Sequence, residues 1–146
     1  MLSFISRNSH YIALLLQEPW LNSNREPPPL AGFDMFIPTP TGPKCVIYIR
    51  KSAHLQPSLA LNEADFFLGV KLSFPTTPSS TPTSPPLLPP PSFTLYNLYS
   101  PRQQQAVCHF LHGFSPATNA VICGDFNSHH RNWYGHQITL DSTRHT

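Results

Sequence analysis

The chain has few charged residues, and this shortage limits the chemistry that it can carry. Only 11% of its 146 residues are Asp, Glu, Lys or Arg, against about 25% in an ordinary globular protein. The net charge of +2 is too weak to indicate a polyanionic partner by itself. Any carboxylate chemistry or hard-metal site must use some of seven acidic residues: Glu18, Glu26, Asp34, Glu63, Asp65, Asp125 and Asp141.

Several other features are scarce or missing, and each shortage argues against a class of protein. The three cysteines lie far apart without a CxxC pair, so neither a disulfide scaffold nor a cysteine zinc site is indicated. Six glycines cannot occupy every third position of a collagen helix. No uncharged apolar run approaches the ~18 residues of a membrane span. The short apolar N-terminus is interrupted by Arg7 and His10 and makes a poor signal peptide, so we expect a reducing intracellular compartment.

Proline is abundant, with 18 residues, and it is concentrated in two stretches. Residues 75–91 contain eight prolines and seven Ser or Thr, and residues 27–43 contain six prolines. Because proline interrupts both helices and strand ladders, we predict two long surface loops, with 75–91 inserted into a single domain spanning 1–146. The same segment contains prolines at 82 and 85 that fit a PxxP ligand, although an insertion is the favoured interpretation.

Apolar stretches between these loops predict the secondary structure. Residues 11–16, 44–50, 64–73, 93–99 and 119–123 are predicted strands. Residues 102–114 show apolar side chains at helical spacing after Ser100 and Pro101, a typical helix start. This order of elements predicts an α/β architecture in which helices cover the strands.

Two carboxylates follow predicted strands directly. Glu18 comes after the strand at 11–16, and Asp125 comes after the strand at 119–123. Ligands of open α/β folds bind outside the carboxyl ends of the strands, and Mg²⁺ is commonly held by one or two carboxylates with water and substrate phosphate. Asn127, two residues after Asp125, is placed to orient water or a phosphate oxygen. The alternative is that all three are ordinary turn residues.

Tyr99 ends a third predicted strand, at 93–99. A tyrosine hydroxyl beside a metal-bound phosphate donates a hydrogen bond to it or helps to activate it. The alternative, an aromatic side chain packed in the core, stays open on the sequence alone.

Three segments together carry a family resemblance: QEPW at 17–20, YNLYSP at 96–101, and GDFNSHH at 124–130 followed by Trp133 and Gly135. In this order they resemble the endonuclease/exonuclease/phosphatase superfamily, and within it the apurinic/apyrimidinic-like endonuclease domains of LINE-type (non-LTR) retrotransposons. The resemblance covers most of the chain. It implies an α/β fold that is a partial four-layer α/β sandwich (DNase I-like), here a fragment of the full domain.

The resemblance also implies a function and its residues. Glu18 corresponds to the metal-binding glutamate and Tyr99 to the active-site tyrosine. Asp125 corresponds to the aspartate that aligns or deprotonates the attacking water near the metal, and Asn127 to the asparagine that contacts the scissile phosphate. The activity implied is Mg²⁺- or Mn²⁺-dependent cleavage of DNA phosphodiesters, which in this branch nicks the target site for reverse transcription.

Further expectations follow from the same resemblance. His129 and His130 lie in the branch motif, where contact with DNA, a structural role and catalysis all stay open. We expect Trp20 and Trp133 to pack beneath the site rather than to stack on bases. The implied partners are DNA and a reverse transcriptase domain in the intact element, with no membrane, and the implied location is nuclear or intracellular.

The chain also departs from the family pattern. The family begins with an asparagine-bearing strand and ends with a Ser-Asp-His segment, and Asn8 and His145 do not replace them. We therefore expect a domain truncated at both ends that holds little more than one of two sheets and has impaired catalysis, since general acid–base groups contribute about 10²–10⁴-fold. The alternatives are an inactive retroelement remnant with at most weak DNA binding and a phosphatase of the same superfamily.

Overall fold

A computed structural model of the chain describes residues 11–52, 54–63, 65–75, 91–100 and 111–126. These residues form two β-sheets and a single helical turn at 111–113. The strands are β1 (Ala13–Gln17), β2 (Phe33–Phe36), β3 (Cys45–Arg50), β4 (Gln56–Glu63), β5 (Phe67–Ser73), β6 (Ser92–Tyr99) and β7 (Ala120–Asp125). The described part of the chain is therefore mainly β, and none of its helical residues form a helix long and apolar enough to cross a membrane.

The first sheet has three antiparallel strands in the order β1-β3-β2. The central strand β3 carries the run CVIYIR, whose β-branched and aromatic residues suit a pleated surface. Its first five residues are buried, because side chains cover the strand on both faces. Gln17, the last residue of β1, pairs with Cys45, the first residue of β3.

The second sheet has four strands in the order β4-β5-β6-β7. The first three run antiparallel, whereas β7 pairs with β6 in parallel. Parallel strands end at the same edge of a sheet, and the register places Tyr99 of β6 opposite Asp125 of β7. This pairing joins two of the three motifs that the sequence singles out.

The two sheets pack face to face through an apolar core. Ile47 and Ile49 of β3 contact a cluster that includes Leu68, Val70 and Leu72 of β5. All five side chains are fully buried, and burying an aliphatic side chain of this size stabilises the fold by about 1.5–3 kcal/mol. This core aligns the two sheets, so that β1 lies against β6 and β7.

The outer face of each sheet is covered by its own cluster. Tyr48 of β3 packs with Leu30, which precedes β2, and with Phe33, the first residue of β2. On the second sheet, Phe67 and Tyr96 stack at 5.6 Å and meet the edge of the Phe114 ring, while further apolar residues pack around them. Glu18, after the carboxyl end of β1, and Asp125, at the carboxyl end of β7, lie outside these clusters and are exposed.

Five strands were predicted at the right places, with shifts of up to three residues at their ends. Two strands were missed. β2 lies inside the predicted 27–43 loop, where four residues suffice because they pair with the central strand β3. β4 is a mostly exposed edge strand that contains Pro57, so it lacks the apolar signature of a buried strand.

Three further expectations can be compared with the structure. The expectation that the chain holds little more than one sheet is wrong, because seven strands build two packed sheets. Of the predicted helix at 102–114, residues 111–113 are helical and 101–110 lie outside the described residues. Of the predicted loop at 75–91, residues 76–90 lie outside them, and its ends meet where the Phe74 amide donates to the Pro91 carbonyl at 3.1 Å.

Candidate active site at the carboxyl ends of three strands

The structure brings three of the predicted site residues to one edge of the sandwich. The Tyr99 hydroxyl donates a hydrogen bond of 2.6 Å to Oε1 of Glu18, across 81 residues of sequence and between the two sheets. Asp125 pairs with Tyr99 in the β6–β7 ladder, and paired residues of neighbouring strands point to the same face. The first, second and third motifs therefore meet at this edge.

Backbone hydrogen bonds hold the strand ends that carry these side chains. The Ser100 amide donates to the Asp125 carbonyl at 2.7 Å, which extends the β6–β7 pairing past Tyr99. The Glu18 amide donates to the Lys44 carbonyl at 2.8 Å. The Lys44 amide in turn donates to the Asp65 carbonyl at 2.7 Å and so ties the first sheet to the second beside the site.

Glu18 has an unusual backbone conformation. Its φ of 44° lies in the left-handed region, which costs a residue with a side chain roughly 1–2 kcal/mol. Two hydrogen bonds maintain this conformation: the Glu18 amide donates to the Lys44 carbonyl, and the Tyr99 hydroxyl donates to the Glu18 side chain. Such strain accumulates at functional sites, where the surrounding structure fixes a residue in a demanding geometry.

A buried amide joins the two sheets next to the site, and sequence reasoning missed it. Asn97 of β6 is fully buried, and its side-chain nitrogen donates to the carbonyls of Leu16 at 3.0 Å and Val46 at 2.9 Å. Its side-chain oxygen accepts a hydrogen bond from Nε2 of the Gln17 side chain. The available signal was a polar residue at an inward-facing position between Leu95 and Tyr99, since buried polar groups require partners.

Asn97 consequently fixes where Glu18 and Tyr99 meet. It holds the backbone of β1 two residues before Glu18 and belongs to the strand that ends at Tyr99. A hydrogen bond has a defined direction and length, so the amide sets the position of β1 along β6 more sharply than apolar packing does.

Gly124 lies inside β7, one residue before Asp125. A Cβ atom at this position would collide with the carbonyl oxygen of Leu98. Glycine is therefore needed because β6 and β7 approach closely, and this approach places Asp125 beside Tyr99.

The donor groups at this edge fit a hard divalent cation. Glu18 and Asp125 supply exposed carboxylates, and carboxylate with water suits Mg²⁺ or Mn²⁺. The described residues contain no cluster of three or more His, Cys, Asp or Glu side chains. Two carboxylates alone would leave such a cation to complete its ligands with water and substrate oxygens, as Mg²⁺ commonly does.

The remaining predicted residues have different outcomes. Asn127, His129, His130 and Trp133 lie outside the described residues. The expectation that Trp20 packs beneath the site is wrong, because its side chain is 74% exposed.

Comparison of the chain with protein-family models, with curated proteins and with solved structures gives no match. The functional interpretation therefore rests on the three motifs and on the geometry that brings their residues together. Of that geometry, the bond from Tyr99 to Glu18 and the pairing of Tyr99 with Asp125 carry the most weight.

Proposed function

We propose that the chain is a metal-dependent phosphodiesterase that nicks DNA, as the endonuclease domain of a non-LTR retrotransposon. The observation that carries the proposal is the hydrogen bond from Tyr99 to Glu18, with Asp125 paired beside it. The three residues come from separate motifs and from both sheets, so a chance cluster of turn residues explains their meeting poorly.

Each residue has a role that its chemistry supports. Glu18 and Asp125 would hold Mg²⁺ or Mn²⁺ together with water, and the cation would offset negative charge on the phosphate when bound. The Tyr99 hydroxyl orients the Glu18 carboxylate. Asp125 accepts the proton of the attacking water as the new P–O bond forms and the bond to the leaving oxygen breaks. Asn127 contacts the scissile phosphate by resemblance alone.

The finer fold assignment belongs to the same proposal. Two packed sheets with a parallel β6–β7 pair support a DNase I-like sandwich. The helical layers on the outer faces of the two sheets are part of the proposal. DNA is the proposed substrate, a reverse transcriptase domain is the proposed neighbour in the intact element, and the nucleus is the proposed place of action.

Nicking of supercoiled plasmid tests the proposal. With Mg²⁺ the full chain should convert supercoiled to open-circular DNA, and EDTA should stop the reaction. Glu18→Gln and Asp125→Asn should each lower the rate by about 10²-fold or more, as expected for loss of a catalytic carboxylate. Glu63→Gln is the matched control, because this exposed carboxylate ends the edge strand β4.

Two results would overturn the proposal. If the unaltered chain nicks no faster than the Glu18→Gln, Asp125→Asn double variant, the chain is not an active endonuclease and the remnant alternative stands. If the chain hydrolyses a phosphomonoester in Mg²⁺ and leaves plasmid intact, the phosphatase alternative replaces it.

A further inference from the structure

An apolar groove of about 320 Å³ adjoins the candidate active site. Glu18 is among the residues that line it, together with Pro19 and Trp20, which follow it in the sequence. The other lining residues include Leu16, Pro28 and Tyr48. The groove is therefore continuous with the carboxylate proposed to act at the scissile phosphate.

The walls of this groove differ in a way that suits a flat ligand. Trp20 is 74% exposed, although tryptophan is usually well buried. Tyr48 is only 1% exposed, and its hydroxyl donates to the Pro28 carbonyl at 2.7 Å. One wall is thus fixed with its polar atom already bonded, while the indole is available to stack on another ring.

The charge of the groove also limits the chemical classes of ligand that it could bind. Among the described residues that line it, Glu18 is the only charged one and none is cationic. A phosphate, a sulfate or an acidic peptide would gain no counter-charge there. A neutral aromatic group could stack on the indole and needs no counter-charge in the groove. In a DNA substrate whose phosphate lies at Glu18, that group is a nucleobase.

We propose that Trp20 and this groove form a subsite for an unpaired nucleobase next to the phosphate that is cleaved. This inference rests on the proposed function, because it takes the scissile phosphate to lie at Glu18. A paired base is already stacked on both faces within the duplex, whereas an unpaired base has a free face for the indole. Stacking of this kind tolerates any base, since every base offers a π-face.

Binding of labelled hairpins to the full chain, measured by fluorescence anisotropy with Ca²⁺ in place of Mg²⁺ so that carboxylate and phosphate oxygens still share a cation, tests the subsite. Three DNA hairpins are compared: fully paired, with a one-base bulge, and with an abasic nucleotide at the bulge. The chain should bind the bulged hairpin about 5- to 100-fold more tightly than the abasic one, the range expected for one stacked base. Trp20→Ala should abolish this preference, and Trp20→Phe should keep most of it.

Tyr11→Ala is the matched control, because Tyr11 is also an exposed aromatic residue and precedes the opposite end of β1. This variant should keep both the preference and the nicking rate. The inference is overturned if the chain binds bulged and abasic hairpins equally, or if Trp20→Ala keeps the preference.

The two proposals fail in distinguishable ways. Plasmid nicking without a Trp20-dependent preference removes the subsite and leaves the phosphodiesterase. A Trp20-dependent preference without nicking in Mg²⁺ supports the subsite for DNA binding and removes the phosphodiesterase.

Discussion

The two sheets are joined in one way at the middle of the sandwich and in another way at the candidate site. In the middle, Ile47 and Ile49 face Leu72 and its neighbours, all of them fully buried. At the site end, Asn97 bonds to the backbone of β1 and β3, and Tyr99 bonds to Glu18. Apolar burial stabilises without direction, whereas hydrogen bonds fix position. The comparison indicates that stability and active-site geometry are supplied by different parts of one interface.

The largest expected effect on stability comes from the middle of the interface. Leu72→Ala removes a fully buried side chain and should lower the free energy of unfolding by about 2–5 kcal/mol, since the cavity collapses only partly. Urea unfolding followed by circular dichroism measures this loss. Leu59→Ala, at an exposed position of the edge strand β4, is the control and should change little. A loss as small as that of Leu59→Ala would contradict a tightly packed middle.

The second effect concerns the amide that joins the sheets at the site. Asn97→Leu leaves two buried carbonyls without their side-chain donor, which should lower the free energy of unfolding by about 1–3 kcal/mol. Nicking should fall further than in Leu72→Ala when both variants are assayed at a temperature at which both are folded, because only Asn97 sets the position of β1 on β6. Equal losses of nicking in the two variants would show that the amide has no positioning role.

The buried strands and the exposed edge strand differ in how well they could be predicted from the sequence. β3 and β6 are dense in apolar and aromatic residues, so their burial is visible in the residue pattern. β4 is exposed and polar, and only its pairing with β5 makes it a strand. Local composition does not encode such pairing.

In the candidate site, too, some features could be predicted from the sequence and others could not. Glu18, Tyr99 and Asp125 were predicted because each follows or ends an apolar strand. The bonds of Asn97 to backbone carbonyls could not be predicted, since every residue carries a carbonyl and only the tertiary fold selects the partners. The exposure of Trp20 depends likewise on the direction that the chain takes after β1.

A smaller effect on stability is expected from the hydroxyl that joins the two motifs. Tyr99→Phe removes the hydroxyl that donates to Glu18 and should lower the free energy of unfolding by about 0.5–1.5 kcal/mol. The nicking rate should fall more than tenfold, a loss expected when a carboxylate is no longer oriented. Tyr11→Phe is the matched control and should keep the full rate. A Tyr99→Phe variant with full nicking activity would separate this bond from the proposed function.

The last effect is absent near neutral pH and is a dependence of stability on alkaline pH. Burial, with a contribution from the Asp65 carboxylate, raises the pKa of the Cys45 thiol from 9.0 to about 12, and burial also raises the pKa of Tyr48. The unfolded thiol ionises above pH 9.0 while the folded one stays protonated. The stability is therefore fully present below that pH and falls as the pH rises toward about 12. Thermal midpoints measured from about pH 8 upward should decline less steeply in Cys45→Ala, and equal slopes would contradict this cause.

The most direct test of the central claim is the binding of Mn²⁺ to the folded chain, followed by electron paramagnetic resonance of the free ion. The claim is that Glu18 and Asp125, carried by different sheets, act together on one cation. The chain should bind one Mn²⁺, Glu18→Gln and Asp125→Asn should each weaken binding strongly, and Glu63→Gln should leave it unchanged. Absence of Mn²⁺ binding, or binding that survives both site substitutions, would contradict the account.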